Sequence, residues 1–227
     1  MNAVTLYLVR HGAILTVEGK VFIGQSAVPL SDEGVEQAWA LRKLLEPVHF
    51  SRYIASDLSR SLRTAKIIAG RRARSVESFA ALREINLGDW EGYPFQHIRA
   101  RYPDEYAARG RDLEHWRPPH GESFADCHAR VNQALHSILA HSTGNVLLAG
   151  HAGVNRLILC SALGIPVQNL FNLAQDYGCI NILQFASGRT RVQLSNYVPL
   201  QPLQIERAPA CSDAVLAGLP VEVPSRS

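Results

Sequence analysis

Two histidines carry most of the chemistry this sequence can do, and each stands where an apolar run stops. Leu6-Tyr7-Leu8-Val9 is followed by Arg10-His11-Gly12, and Val146-Leu147-Leu148-Ala149 is followed by Gly150-His151-Ala152-Gly153. An imidazole among small residues can attack phosphorus, and a guanidinium fork beside it matches phosphate oxygens. Arg10 is one such fork, and Arg60 in Leu58-Ser59-Arg60-Ser61 is a second. Two carboxylates, Glu84 and Glu91, compete for the proton-transfer role such chemistry needs, and spacing alone does not separate them. Taken singly, each motif has a plain structural reading: a strand-end histidine, a surface arginine, a turn-side glutamate. It is the pairing of the two histidine stretches that favours phosphate chemistry.

The elements that must position these residues follow from patterning. Both apolar runs have the length and composition of buried parallel strands, and in open α/β sheets ligands gather beyond the carboxyl ends of such strands. Gly12 then lets the backbone turn sharply or a ligand come close. Residues 13–29 hold no sustained period and read as a loop over the first strand's end. Ser31 caps a helix whose first turn carries Asp32, Glu33 and a tolerated Gly34, with Val35, Ala38, Leu41, Leu44 and Leu45 along one face. Tyr53-Ile54-Ala55 is a short strand. It leads into a helix over 58–68 with Arg60 at its first turn, where free N–H groups and the dipole already suit an anion.

Residues 95–120 are helical pieces broken by Pro103, Gly110, Pro118 and Pro119, a polar and aromatic insertion of the kind that contacts the variable part of a ligand. A long helix follows with Phe124, Cys127, Val131, Leu135, Ile138 and Leu139 on its buried side, and another runs from Asn155 to Leu163 behind His151. Asn181 to Phe185 is expected as an edge strand and alternates loosely, as a half-exposed strand would, and Gly188 turns the chain into a last strand over 190–194.

Bulk numbers bound the answer. At 227 residues and 47% hydrophobic the chain supports one sizeable core, so residues 1–198 are expected as a single domain with the insertion at 95–120. Residues 199–227, rich in Pro, Ala and Ser, are expected as a tail. A net charge of +3 is mild, and its one basic cluster, Arg71-Arg72-Ala73-Arg74, reads as a solvated loop, so no nucleic-acid partner is expected. No signal peptide and no membrane span are expected. The cysteines Cys127, Cys160, Cys179 and Cys211 lack the spacing of zinc or redox sites and read as reduced thiols of a cytoplasmic protein. Oligomeric state is not written in the pattern, and a homodimer is compatible with it.

Together, Arg10-His11-Gly12, the Pro29-Leu30-Ser31-Asp32-Glu33-Gly34 helix start, Arg60-Ser61 ahead of Thr64-Ala65, Gly88-Asp89-Trp90-Glu91-Gly92 and Gly150-His151-Ala152-Gly153 resemble the histidine phosphatase superfamily, also called phosphoglycerate mutase-like. The resemblance spans roughly residues 4 to 197. It implies a three-layer α/β/α sandwich with a mostly parallel central sheet and a small irregular or helical insertion over the active site. It also assigns the acid to Glu84 and leaves Glu91 structural. Implied roles are then His11 as nucleophile, its other nitrogen bonded to a backbone carbonyl near Gly12, and Arg10 and Arg60 on the phosphoryl oxygens. His151 is implied as a further donor, most useful protonated, and Glu84 as the group that gives its proton to the leaving alkoxide and later activates water.

Neither metal nor cofactor is implied. Where the family often has Glu-Thr and a later asparagine after the first motif, this chain has Ala13, Ile14, Leu15, Thr16 and Val17, so the asparagine's phosphate contact falls to Thr16 or Gln25. His120 likewise stands where a glycine is common. The implied activity is hydrolysis of a small phosphorylated metabolite through phosphohistidine. The layout, with Asp176-Tyr177-Gly178 near the end, is similar to the α-ribazole phosphatase branch. A phosphoglycerate mutase is the alternative within the family, and the short span from Glu84 to His151 favours water as acceptor. Outside it stand a non-catalytic phospholigand-binding module and a metal site built on His11, His151 and Glu84.

Overall fold

The computed structural model describes residues 3–15 and 19–199. Thr16, Val17 and Cys211 lie outside them, as does the expected tail except for residue 199. Six strands form one sheet in the order β3-β2-β4-β1-β5-β6: β1 (Val4–Arg10), β2 (Phe50–Ser56), β3 (Val76–Phe79), β4 (Gly144–Gly150), β5 (Ile180–Ala186) and β6 (Arg189–Tyr197). The first four listed are parallel neighbours, whereas β5 runs antiparallel to β1 and β6 antiparallel to β5.

Helices cover both faces. Alternate residues of the central strands enter different cores: Leu6, Leu8, Val146 and Leu148 pack with α5 (Phe124–Ala140) and α6 (Ala152–Leu163), while Val9 and Leu147 pack with α1 (Asp32–Leu45) and α2 (Ser59–Ala69). That two-sided burial is why these strands read as continuous apolar runs. The result is the three-layer α/β/α sandwich. The six residues expected on the buried side of α5 are all buried, and Ser123 caps that helix with a reciprocal box to Asp126.

Several expectations are corrected. β5 is not an edge strand: it lies between β1 and β6, and its polar Asn181 is fully buried, exchanging amide hydrogen bonds with Gln175 at 2.8 and 3.0 Å. The edge is β6. Arg71 to Arg74 are part of a 3-10 helix over Gly70–Ser75, and β3, which follows it, had no clear sequence signal. On α1, Leu44 faces outward at 41% exposure, while Gly34, Ala38, Leu41 and Leu45 are buried. α6 begins at Ala152, directly after His151, rather than at Asn155.

The insertion contains α3 (Phe95–Arg101) and α4 (Pro103–Arg111), held by their own small aromatic core. Phe22 stacks on Phe95 with ring centres 4.0 Å apart, which ties the insertion to the loop after β1. At His120 the backbone takes φ 58, a left-handed conformation that explains why glycine suits the position, and Asp89 meets its ring at 3.0 Å.

Candidate active site

Sheet register brings the two histidines together. Arg10 pairs with Gly150 across the parallel β1/β4 ladder, so His11 and His151 leave the sheet side by side. Their ring centres lie 5.2 Å apart, and the His11 backbone N–H donates to the Gly150 carbonyl at 3.1 Å.

Gly12 has a different reason from a free turn. A Cβ there would stand 2.1 Å from the Gly34 carbonyl oxygen, and a Cβ on Gly34 would stand 1.9 Å from the Ala13 carbonyl oxygen. The start of α1 is pressed against the backbone that carries the nucleophile candidate, with the Ser31 N–H donating to Ala13 O at 3.0 Å and Ala13 N–H to Gln37 Oε1 at 2.8 Å.

His11 Nδ1 lies 2.7 Å from the Gly12 carbonyl. A carbonyl only accepts, so Nδ1 carries the hydrogen and the neutral ring presents Nε2 as a lone pair. Burial, and then the Arg10 and Arg60 guanidiniums, hold this imidazole well below the usual histidine value, against the opposing pull of the Gly12 carbonyl. His151 is fully buried and is also held well below that value, by burial first and then by His11, Arg60, Arg10 and Arg130. Burial thus works against the protonated form in which His151 would be most useful as a donor.

Arg60 is 2% exposed, and its guanidinium donates to Ser26 O at 2.8 Å and Gly24 O at 2.6 Å. Arg63 on the same helix is exposed. Arg10 donates to Gln175 O at 2.5 Å and lies 3.7 Å from the centre of the Tyr177 ring. Tyr177, whose ring centre is 5.6 Å from that of His11, is a site residue that sequence reasoning saw only as part of a layout. The Nε atoms of Arg10 and Arg60 and both ring nitrogens of His151 are buried without a hydrogen-bond partner among the described residues.

Glu84 accepts from the Gly153 N–H at 3.0 Å at the start of α6 and from its neighbour Ile85 N–H at 3.0 Å. It lines the same cavity as Arg10, His11, Arg60 and Tyr177, whose volume of about 240 Å³ suits a small metabolite. Gln25 does not line it. Its amide donates one hydrogen bond to the Glu84 carbonyl at 3.0 Å, which leaves its second N–H for the phosphate contact expected of it. Thr16, the other substitute expected for that contact, lies outside the described residues. The described residues contain no cluster of three or more His, Cys, Asp and Glu side chains able to hold a metal ion, which leaves the metal reading of His11, His151 and Glu84 without support.

Glu91 has a job, though not a chemical one. Its carboxylate accepts from Gln25 N–H at 2.7 Å, Leu87 N–H at 3.1 Å and Ser26 Oγ at 2.7 Å, and so fixes the loop whose carbonyls hold Arg60. Glu91→Ala strands two N–H groups, each costing about 1–3 kcal/mol where buried. The expected result is a lowered thermal midpoint and roughly tenfold weaker turnover of phosphomonoesters, with Glu91→Gln recovering most of both, read by steady-state kinetics beside melting curves.

A model of the histidine phosphatase superfamily (branch 1) matches residues 6–198. The adenosylcobalamin/alpha-ribazole phosphatase of Escherichia coli K12 is 31% identical over 176 residues, covering 77% of this chain and 86% of that protein. The glucosyl-3-phosphoglycerate phosphatase of Mycolicibacterium vanbaalenii is 32% identical over 177 residues, covering 74% and 78%. Among solved structures, the alpha-ribazole phosphatase of Shigella flexneri superposes with a TM-score of 0.78 at 28% identity, covering 85% of this chain and 96% of that one.

Proposed function

The chain belongs to the histidine phosphatase superfamily, branch 1, and from that premise we propose that it hydrolyses a small phosphomonoester through a phosphohistidine on His11. The observation that carries this reading is the set of buried, unpartnered nitrogens near His11: Arg10 Nε, Arg60 Nε and the two ring nitrogens of His151. Unpartnered buried polar atoms are costly, and a phosphoryl group supplies acceptor oxygens for the two guanidinium N–H groups and for whichever His151 nitrogen carries hydrogen.

The roles follow from the geometry. Nε2 of neutral His11 attacks phosphorus, forming the P–N bond as the P–O bond to the leaving group breaks, and the Glu84 carboxyl gives that alkoxide its proton. Water then attacks phosphorus, the P–N bond breaks, and Glu84 takes the water's proton. Arg10 and Arg60 hold the phosphoryl oxygens in both steps. A bound dianion favours the protonated form of His151, so substrate itself makes that ring the stronger donor.

The relatives' names suggest α-ribazole phosphates and glucosyl-3-phosphoglycerate as first substrates to try. No described helix is long and apolar enough to cross a membrane. A cytoplasmic location is the finer reading, supported by the free thiols of Cys127, Cys160 and Cys179.

The test is a screen of phosphomonoesters that measures phosphate release and phosphoryl transfer to phosphoglycerate in parallel, with and without chelator. Release to water that survives chelation is expected, and predominant transfer would make the chain a mutase instead. Because His11 must be neutral to attack and its value is lowered, kcat/KM plotted against substrate dianion should hold its plateau through pH 6.5 and bend only below it. An acid limb at or above pH 6.5 would mean that the buried imidazole is not the attacking group.

A further inference from the structure

We propose that the cavity selects phosphomonoesters whose leaving group carries a second anion, a carboxylate or another phosphate, held between Arg109 and Arg156; this rests on the phosphatase reading above. Arg109 comes from α4 of the insertion and Arg156 from α6, and both line the cavity that contains His11. Among the described residues the Arg109 side chain has neither a hydrogen bond nor an ion pair. Its Cζ lies 5.9 Å from the Phe22 ring centre and 5.7 Å from that of Phe171. Arg156 Cζ lies 5.6 Å from the same Phe171 ring, with only its Nε spent, on Leu173 O at 2.7 Å. Ring faces at this range give a guanidinium about 0.5–1 kcal/mol and no acceptor oxygen.

Two like charges thus flank one phenyl ring in a partly buried place, and burial is the leading influence lowering the value of each. Charge counting points the same way. The cavity is lined by four guanidiniums, and even with Glu84 counted as a carboxylate three positive charges remain. A phosphoryl dianion held by Arg10 and Arg60 answers two of them. The other two guanidiniums, Arg109 and Arg156, line the same cavity as His11 and are open to a second anion on the leaving group. The same cavity is also lined by the apolar side chains of Ile85, Leu87 and Phe124, which suits a carbon skeleton joining two anions. A purely neutral leaving group would leave the Arg109 fork without an acceptor.

Matched substrates test this directly. 4-carboxyphenyl phosphate and 3-phosphoglycerate are each compared with their own methyl esters, so that the leaving oxygen changes little while the second charge is removed. For wild type, Arg109→Gln and Arg156→Lys, kcat/KM is measured for acid and ester, and the acid-to-ester ratio is the readout. A charge-assisted fork predicts that the ratio for at least one acid exceeds one in wild type and falls about tenfold in Arg109→Gln. Using a ratio removes any general loss of folded enzyme, and Arg109 is the safer variant because its side chain bonds nothing in the fold. A ratio that moves less than threefold for both acids overturns the second-anion site while leaving His11-dependent hydrolysis intact. No phosphate release from any of the four compounds by wild type would instead bring down the phosphatase reading, and this inference with it.

Discussion

Replacing His11 by alanine is expected to lower kcat/KM for p-nitrophenyl phosphate by at least about 10⁴-fold, because it removes the nitrogen proposed to form the covalent bond. Binding should survive much better than turnover. Arg10 is held by Gln175 O, Arg60 by Gly24 O and Ser26 O, and none of these contacts involves the His11 ring. Inorganic phosphate should therefore still inhibit competitively or protect against unfolding, with an affinity within about tenfold of wild type, since the guanidinium forks supply most of the charge-assisted hydrogen bonds. Wild-type enzyme quenched in alkali during turnover should carry one phosphoryl group that acid removes, as a phosphoramidate requires, and the variant should carry none. Turnover within tenfold of wild type in His11→Ala would refute the nucleophile. Loss of turnover without any trapped phosphoryl group, together with inhibition by chelators, would revive a metal-based route.

What the sequence made legible tracks the reach of the interactions involved. His11 and His151 can be found because each ends an apolar run, and that signal is local. Their meeting is not local: it depends on the parallel pairing of Arg10 with Gly150, a register that only the assembled sheet defines. Arg60 is visible as an arginine at a helix start, but its anchors Gly24 O and Ser26 O belong to a loop with no periodicity, fixed in turn by Glu91. For the same reason nothing along the chain near Gln25 shows that one of its amide hydrogens ties the loop to Glu84 O.

The alternation over 181–185 suggested one wet face on β5, whereas Asn181 turns inward and is satisfied by Gln175 and by the Leu8 carbonyl at 3.0 Å. The alternation itself holds, with Asn181 and Leu183 buried and Ile182 and Gln184 partly exposed, but the polar residue at 181 lies on the buried side. Arg109 and Arg156 illustrate the same limit at the site itself. Each is one of many arginines until the insertion brings Arg109, and the 167–172 segment brings Phe171 to Arg156 of α6, so that both guanidiniums meet one ring.

Gly34→Ala is expected to destabilise the protein by about 3 kcal/mol or more, in a helix where residue preference alone favours alanine by up to ~1 kcal/mol. The reversal comes from what the new methyl group meets. It would stand 1.9 Å from the Ala13 carbonyl oxygen and 2.7 Å from the Ala13 nitrogen, backbone atoms that cannot rotate aside as a side chain could. α1 would have to lift from the 12–13 segment, breaking the Ser31 N–H to Ala13 O bond and the Gln37 contact. Gly12 would shift with it, and with Gly12 the carbonyl that fixes the His11 tautomer, so activity should fall further than the folded fraction does. Gly110 near the end of α4 is the internal control, since a Cβ there meets nothing within 4 Å. Gly110→Ala should be neutral or stabilising by up to about 1 kcal/mol. Urea midpoints of the two variants should therefore move in opposite directions from wild type. If Gly34→Ala instead matches Gly110→Ala, the close seat of α1 on the histidine-bearing turn is wrong, and the account of why glycine occupies both 12 and 34 fails with it.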